Sequence, residues 1–357
     1  MRSGRISMGD AVVASRKPFY KELKAGRSYL WCACGRSKRQ PFCDGRSHEG
    51  TGIEPIRYDC TVDGEEVLFC GCKQTATGPF CDGAHSNLPG GYAEEAERAE
   101  DLPWAESDAE GIRSLDGHCY VIAAEATRPA TAGDWWCRTI VSTAMGAQHQ
   151  AQFYGELRRG QSPVLASAAG DVVLWTMAGQ GSVEISGRSF ALARDMGVYV
   201  RGGEAFRFTQ QGDAPLGVHI HACPATDALG ELAEMPGDFD ARWPDRTVGV
   251  DEGQRHAMGP RYFQMLVDKR IGSTTATQFI GHIPQSRAEM HRHLYEEALI
   301  ILSGEGVIWN EGVRARVRAG DVIFFPRKHR HSLQCTHPDG MDVVGLIHPG
   351  DNPGINY

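Results

Sequence analysis

Two stretches of this sequence carry thiols and imidazoles at short, matching intervals. In the later one, Cys70-Gly71-Cys72 is followed by Pro79-Phe80-Cys81-Asp82-Gly83 and then His85. Cys70 and Cys72 are two residues apart, so on an extended strand their side chains share a face. The Gly and Pro residues between turn the chain back and deliver Cys81 and His85. Three thiolates and one imidazole suit a metal centre, either iron–sulfur iron or zinc. A histidine on an iron raises its potential and makes it sensitive to pH, because imidazole titrates. The earlier stretch reads Cys32-Ala33-Cys34, then Pro41-Phe42-Cys43-Asp44-Gly45 and His48. It holds one more residue between its last cysteine and its histidine. Either the Asp44-Gly45 turn absorbs that residue or the site is altered; His48 is expected to be its fourth donor.

A second constellation lies near the carboxyl end. His291 and His293 alternate, so both face one side of a strand. Glu297 shares their parity, and Gly320 to His331 can bring a further imidazole from a neighbouring strand. Arg292, Arg327 and Arg330 bracket these residues. Arg292 is a candidate for binding a substrate carboxylate and Tyr295 for donating a proton, although alternation turns most of the arginines outward.

The cysteine stretches resemble the CDGSH iron–sulfur family in spacing, in the Pro before Phe-Cys, and in the Cys-Asp-Gly ending. The resemblance implies two [2Fe–2S] clusters, one on Cys32, Cys34, Cys43 and His48, the other on Cys70, Cys72, Cys81 and His85. Zinc is the competing occupant, since three Cys and one His also suit that ion. The carboxyl-terminal residues resemble the two cupin motifs, with Lys328 where the second often has Gly. That resemblance implies a jelly-roll barrel with one metal on His291, His293, Glu297 and His331. Three imidazoles and a carboxylate suit Fe(II), with Mn or Ni as alternatives. Glu296 replaces Glu297 if the strand carries a bulge. His329 is expected at the surface or behind the ligands, and His282 as an ordinary barrel histidine.

These residues need strands to hold them. The 357 residues include 43 Gly and 18 Pro, which suits many short strands joined by turns. The fold expected is mainly β, a small β-rich iron–sulfur domain followed by a two-fold cupin (double-stranded β-helix). Domains are expected at 1–90 for the tandem CDGSH segment, 91–130 for a linker, 131–245 for a degenerate cupin and 246–357 for the metal-binding one. The linker is placed on the acidic, Ala-rich run Glu94 to Asp101, read as a short solvated helix or linker. The duplication rests on echoes about 125 residues apart, such as Ala178-Gly179-Gln180-Gly181 against Ser303-Gly304-Glu305-Gly306. Carried back along them, the His pair falls on Ala166 and Ala168, Glu297 on Val172 and His331 on Phe206. Apolar side chains would fill that first barrel, making it a structural or dimer-forming half. His219 and His221 read as ordinary strand residues. Cys60, Cys119, Cys137, Cys223 and Cys335 read as small buried hydrophobes.

A formal charge of −8 gives no electrostatic case for nucleic-acid binding. No stretch is long and apolar enough to span a membrane, and the first twenty residues lack the apolar core of a signal peptide. A cytoplasmic protein is expected. An open metal site tethered to electron-carrying clusters makes most sense if the metal needs electrons. The function expected is therefore a non-haem Fe(II) oxygenase (an oxidoreductase, mono- or dioxygenase). It would use O₂, a small polar substrate bearing a carboxylate or thiol, and an electron donor such as a reductase or ferredoxin, with a homodimer as an option. A redox-sensing or electron-transfer protein with a ligand-binding cupin is one alternative, and a metal-dependent isomerase or decarboxylase another.

Overall fold

The computed structural model describes residues 11–89, 99–123, 129, 133–167 and 170–357. Among these, helical structure is limited to single 3-10 turns, and strands form everything else that is regular. None of its helices is long and apolar enough to cross a membrane. The chain divides into two compact units. One comprises residues 1–93 with His291–Leu294 and Asn352–Tyr357; the other comprises Glu94–Met290 and Tyr295–Asp351.

The first unit is built on two strand pairs, Phe19–Leu23 with Glu65–Phe69 and Ser28–Trp31 with Ile56–Asp59. Leu23, Trp31, Val67 and Phe69 turn inward and form one core with Cys32, Cys34, Cys70 and Cys72. Aromatic rings stitch the pairs together: Phe69 meets Phe42 edge-on at 5.3 Å and Phe80 at 5.5 Å, and Phe80 meets Tyr58 at 4.9 Å. Pairs at these separations add to the area they bury.

The second unit holds two barrels. The first pairs a 6-stranded with a 5-stranded sheet, the second an 8-stranded with a 3-stranded sheet. Strand pairings repeat at one constant offset. Glu297 lies opposite Phe325 and Ile347 in the second barrel, and Val172 opposite Val200 and Ala222 in the first. The glycine echo has a steric cause. At both Gly179 and Gly304, φ is positive and an added Cβ would stand 2.3 Å from a carbonyl oxygen, of Pro215 and of Gly340.

Each barrel has its own apolar interior. Val172, Leu174, Val198, Phe206 and Phe208 fill the first, so the apolar filling expected at Val172 and Phe206 is what the structure contains. Ala166 is half-buried; Ala168 lies outside the described residues. The second is filled by Phe279, Tyr295, Leu299, Phe325, Leu333 and Ile347, among others. A third core, with Trp175, Ala298, Ile300, Phe324 and Val344, lies between the two large sheets. Runs such as Ala298–Ile301 are continuous rather than alternating because both faces are covered.

The expected domain boundaries do not follow the strands. Residues 94–98 of the expected solvated helix lie outside the described residues, but Ile112–Asp116 and Cys119–Ala123, placed in the linker, are strands of the second barrel's large sheet. Conversely, Thr247–Gly249, assigned to the second cupin, pairs with Met196–Val200 of the first. The first barrel's large sheet thus takes one strand from the chain that follows it, and the second barrel's takes two from the chain that precedes the first. His219 and His221 lie between the sheets, not in a barrel, and both are fully buried. Of the five scattered cysteines, four are buried; Cys137 is exposed, against expectation.

Candidate functional site

The two cysteine motifs fold alike. Cys32 and Cys70 each donate a backbone N–H to the proline carbonyl of their motif, Pro41 and Pro79, at 2.9 Å. Cys43 and Cys81 donate to Leu30 and Leu68 at 2.7 and 2.8 Å. The Asp of each Cys-Asp-Gly closes the loop: Asp44 accepts from the Lys38 N–H at 3.2 Å and Asp82 from that of Ala76 at 2.7 Å. Contacts with the Ser47 hydroxyl and N–H hold the Asp44 carboxyl well below the usual carboxylate range.

Within each motif the donors come as two pairs. The Sγ atoms of Cys32 and Cys34 are 3.6 Å apart, and those of Cys70 and Cys72 3.5 Å apart. Cys43 Sγ is 3.3 Å from His48 Nδ1, and Cys81 Sγ is 3.3 Å from His85 Nδ1. The extra residue before His48 is absorbed after Gly45, which is left-handed like Gly83, so both imidazoles arrive through the same nitrogen. Their outer nitrogens differ. His48 Nε2 is 3.7 Å from the exposed Glu54 carboxylate, while His85 Nε2 is 3.4 Å from Asn356 Oδ1. In the second pair, the hydrogen bond from Cys72 brings the Cys70 thiol down to about 6, and Cys72 is raised in return.

One cation serves both motifs, and spacing did not single it out. Lys73 is fully buried, donates from Nζ to Cys70 O at 2.9 Å and stands 4.7 Å over the Trp31 ring. Burial pushes its ammonium down to about 8, opposed by the neighbouring Cys32, Cys70, Cys72 and Cys34. The first motif has Gly35 at this place, where a Cβ would stand 1.7 Å from Val12 O. Only one copy has room for a side chain.

The cupin residues are distributed differently. Glu297 lies on the strand Glu296–Ile301 and is buried, with Oε1 3.2 Å from where a Cβ on Gly345 would stand. The same Cβ would stand 2.3 Å from Phe279 Cζ, so Gly345 makes room for the Phe279 ring beside Glu297. His331 is buried and stacks on Phe325 at 4.1 Å. Its Nδ1 is 2.9 Å from the His329 carbonyl, which can only accept, so Nδ1 carries the proton and Nε2 the lone pair. His329 in turn faces Asp116 at 2.5 Å, an outer role as expected. Tyr295 is buried in this barrel's core. His282 pairs with Asp342 at 2.8 Å and stacks on Tyr262, an ordinary strand histidine.

Glu296 faces the other way. Its carboxylate accepts three backbone N–H groups, from Gln148 at 2.7 Å, His149 at 2.9 Å and Gln150 at 3.2 Å. It is committed to structure, so the alternative of Glu296 as a metal donor is not supported. His291 and His293 belong with the first unit, their rings 6.4 Å apart. The Arg292 side chain between them is exposed and the backbone is its engaged part, which does not support a catalytic guanidinium. Among the described residues no three or more His, Cys, Asp or Glu side chains converge as one ion would require.

Comparison with known proteins matches residues 282–345 to the family described as Cupin domain. A segment of the chain is 54% identical over 50 residues to the human CDGSH iron-sulfur domain-containing protein 3, mitochondrial. It covers 13% of this chain and 39% of that protein, so the chain spans well under half of the relative's length. Among solved structures, an oxalate decarboxylase aligns with a TM-score of 0.51 at 12% identity, over 65% of this chain and 77% of that one. A putative glyoxylate-induced protein from Pseudomonas aeruginosa aligns with a TM-score of 0.51 at 15% identity, over 71% and 94%. At such identities these structures speak for the fold alone. The chain thus joins a tandem CDGSH-type iron–sulfur segment to a two-barrel cupin.

Proposed function

We propose that this protein is a non-haem iron oxygenase whose two CDGSH-type motifs each hold a [2Fe–2S] cluster. The observation that carries the cluster reading is the pairing of donors. Each motif offers a Cys–Cys pair and a Cys–His pair, which suits two irons with two protein donors each. One zinc ion would need all four donors around a single point. The likeness to the human relative supports iron–sulfur binding in the same sense.

In the second barrel, Glu297 puts a carboxylate beside Phe279, where a partner cation offsets the cost of burial. His331 presents Nε2 as a donor because its Nδ1 is engaged. With His291 and His293 these residues would hold one Fe(II), or Mn or Ni in its place. Iron so held would supply O₂ chemistry, for which the clusters would be a source of single electrons. Tyr295, buried in the same interior, would hold a proton on its hydroxyl. Phe279, Leu299 and Ile347 exclude water around it. We infer a small polar substrate bearing a carboxylate or thiol, an external reductase or ferredoxin as electron donor, and the cytoplasm as compartment, since no cysteine is in a disulfide.

The test is anaerobic purification with iron, sulfide, zinc, manganese and nickel quantified per chain, and visible spectra before and after dithionite. About five irons and four sulfides, bleaching on reduction, are expected. A colourless, zinc-rich protein that stays so after reconstitution would sink the cluster reading. O₂ uptake with a substrate panel then tests the oxygenase; turnover under nitrogen would replace it with non-oxidative metal chemistry.

A further inference from the structure

We propose that the carboxyl-terminal segment Asn352–Tyr357 is part of the second iron–sulfur site, with Asn356 the positioning residue for His85. The inference rests on the reading of His85 as a cluster donor through Nδ1. The segment is held at several points. Asn352 Nδ2 donates to Asp82 O at 3.0 Å, and Asn352 Oδ1 accepts the Gly354 N–H at 2.8 Å. Ile355 is buried in a small core with Leu68 and Cys81. Tyr357 stacks on Tyr20 at 5.5 Å with ring planes 11° apart. Its backbone pairs in both directions with Arg292, each hydrogen bond 2.9 Å.

So anchored, the segment sets Asn356 Oδ1 3.4 Å from His85 Nε2. With Nδ1 turned to Cys81, Nε2 carries the hydrogen and donates it to the amide oxygen. That contact fixes the ring's plane and makes the imidazole a stronger donor, as partners behind metal-bound histidines do. Of the anchoring residues, Arg292 stands between His291 and His293, so the strip of backbone that holds Asn356 also runs beside the His-x-His pair. The first motif is an internal control, because the partner of its outer nitrogen is the exposed Glu54, not the tail. The two sites therefore differ in the charge behind their histidines, neutral at His85 and anionic at His48.

The test is an EPR-monitored redox titration of the full chain, reconstituted anaerobically with iron and sulfide, as wild type, Asn356→Ala and Asn356→Asp. Wild type should show two one-electron waves. Asn356→Asp should lower one wave, with about a tenfold shift in that reduction equilibrium, about 59 mV for one electron. Asn356→Ala should raise the same wave and speed loss of one cluster's absorbance. The other wave should hold still in both variants and move with Glu54→Gln. Two wild-type waves that neither Asn356 variant displaces would overturn the positioning role alone. A wild-type chain that takes up no iron and sulfide would overturn the cluster reading and this inference with it.

Discussion

Adjacent glutamates on one strand should fail in opposite ways when neutralised. Glu296 accepts three backbone N–H groups from residues 148–150, while Glu297 faces the interior of the second barrel. In Glu296→Gln the amide keeps one oxygen. Its best placement serves His149 and Gln150 and turns the NH₂ toward the Gln148 N–H. One part-buried donor, on the exposed Gln148, loses its acceptor, and two charge-assisted hydrogen bonds become neutral ones. An orphaned donor costs about 1–3 kcal/mol and each downgraded bond roughly 1 kcal/mol, less what is recovered by no longer burying a charge. With the orphaned donor at the exposed end of that range, a net loss of ~2 kcal/mol follows, about 4–8 °C in Tm for a unit of this size. Glu297→Gln should leave the Tm of metal-free protein unchanged or raise it, and should empty the barrel of metal. Thermal unfolding read beside metal per chain, with Mn(II) as probe, distinguishes the two. Metal lost from Glu296→Gln at unchanged Tm, with Glu297→Gln still loaded, would refute the assignment of the two faces.

Burial pushes His219 down to about 3 and His221 well below the ordinary imidazole range. In the unfolded chain both take up protons near pH 6.5, so below that the unfolded state binds more and stability falls as pH falls. Their contribution is whole above pH 6.5 and decreases toward pH 3; at pH 5 it is lower by about 2 kcal/mol per histidine. Urea midpoints at pH 7 and 5 should show this, and a His219→Gln/His221→Leu chain should show a flatter slope; an unchanged slope would count against it. Lys73→Met removes the cation beside both cysteine pairs, so both cluster potentials should move negative by tens of millivolts in a redox titration. A shift confined to one wave would show that the charge is not shared.

The cysteine motifs were legible because they are local. Both cysteine motifs lie within short loops. Parity with His293 pointed to Glu297, the glutamate that faces the barrel interior, although His291–Leu294 lie outside the strand Glu296–Ile301. The glycine echo was legible because a side chain at Gly179 or Gly304 would strike a carbonyl oxygen, which leaves the same mark in both copies. Partners distant in sequence left no such mark. Nothing near Glu296 announces the N–H groups of residues 148–150, and nothing near His85 announces Asn356. The strands at Ile112–Asp116 and Cys119–Ala123 were hidden behind an acidic run, although Tyr120-Val121-Ile122 carried an apolar signal. The partner of Cys119–Ala123 begins some two hundred residues later, beyond the reach of a local pattern, and Ile112–Asp116 joins the sheet only through it.

The exchange of strands between barrels bears on how the first barrel could lose its donors and still be kept. Its large sheet takes Thr247–Gly249 from the connector, and the chain leading into it supplies two strands to its neighbour. If one copy alone holds metal, the other is relieved of that role but not of completing its neighbour. Phe206 and Val172 record the first freedom, and the shared strands impose the second constraint. Excising either barrel would strip a strand from the survivor and bare a sheet edge able to pair with another chain. The apolar half is then retained as an architectural dependency of its neighbour.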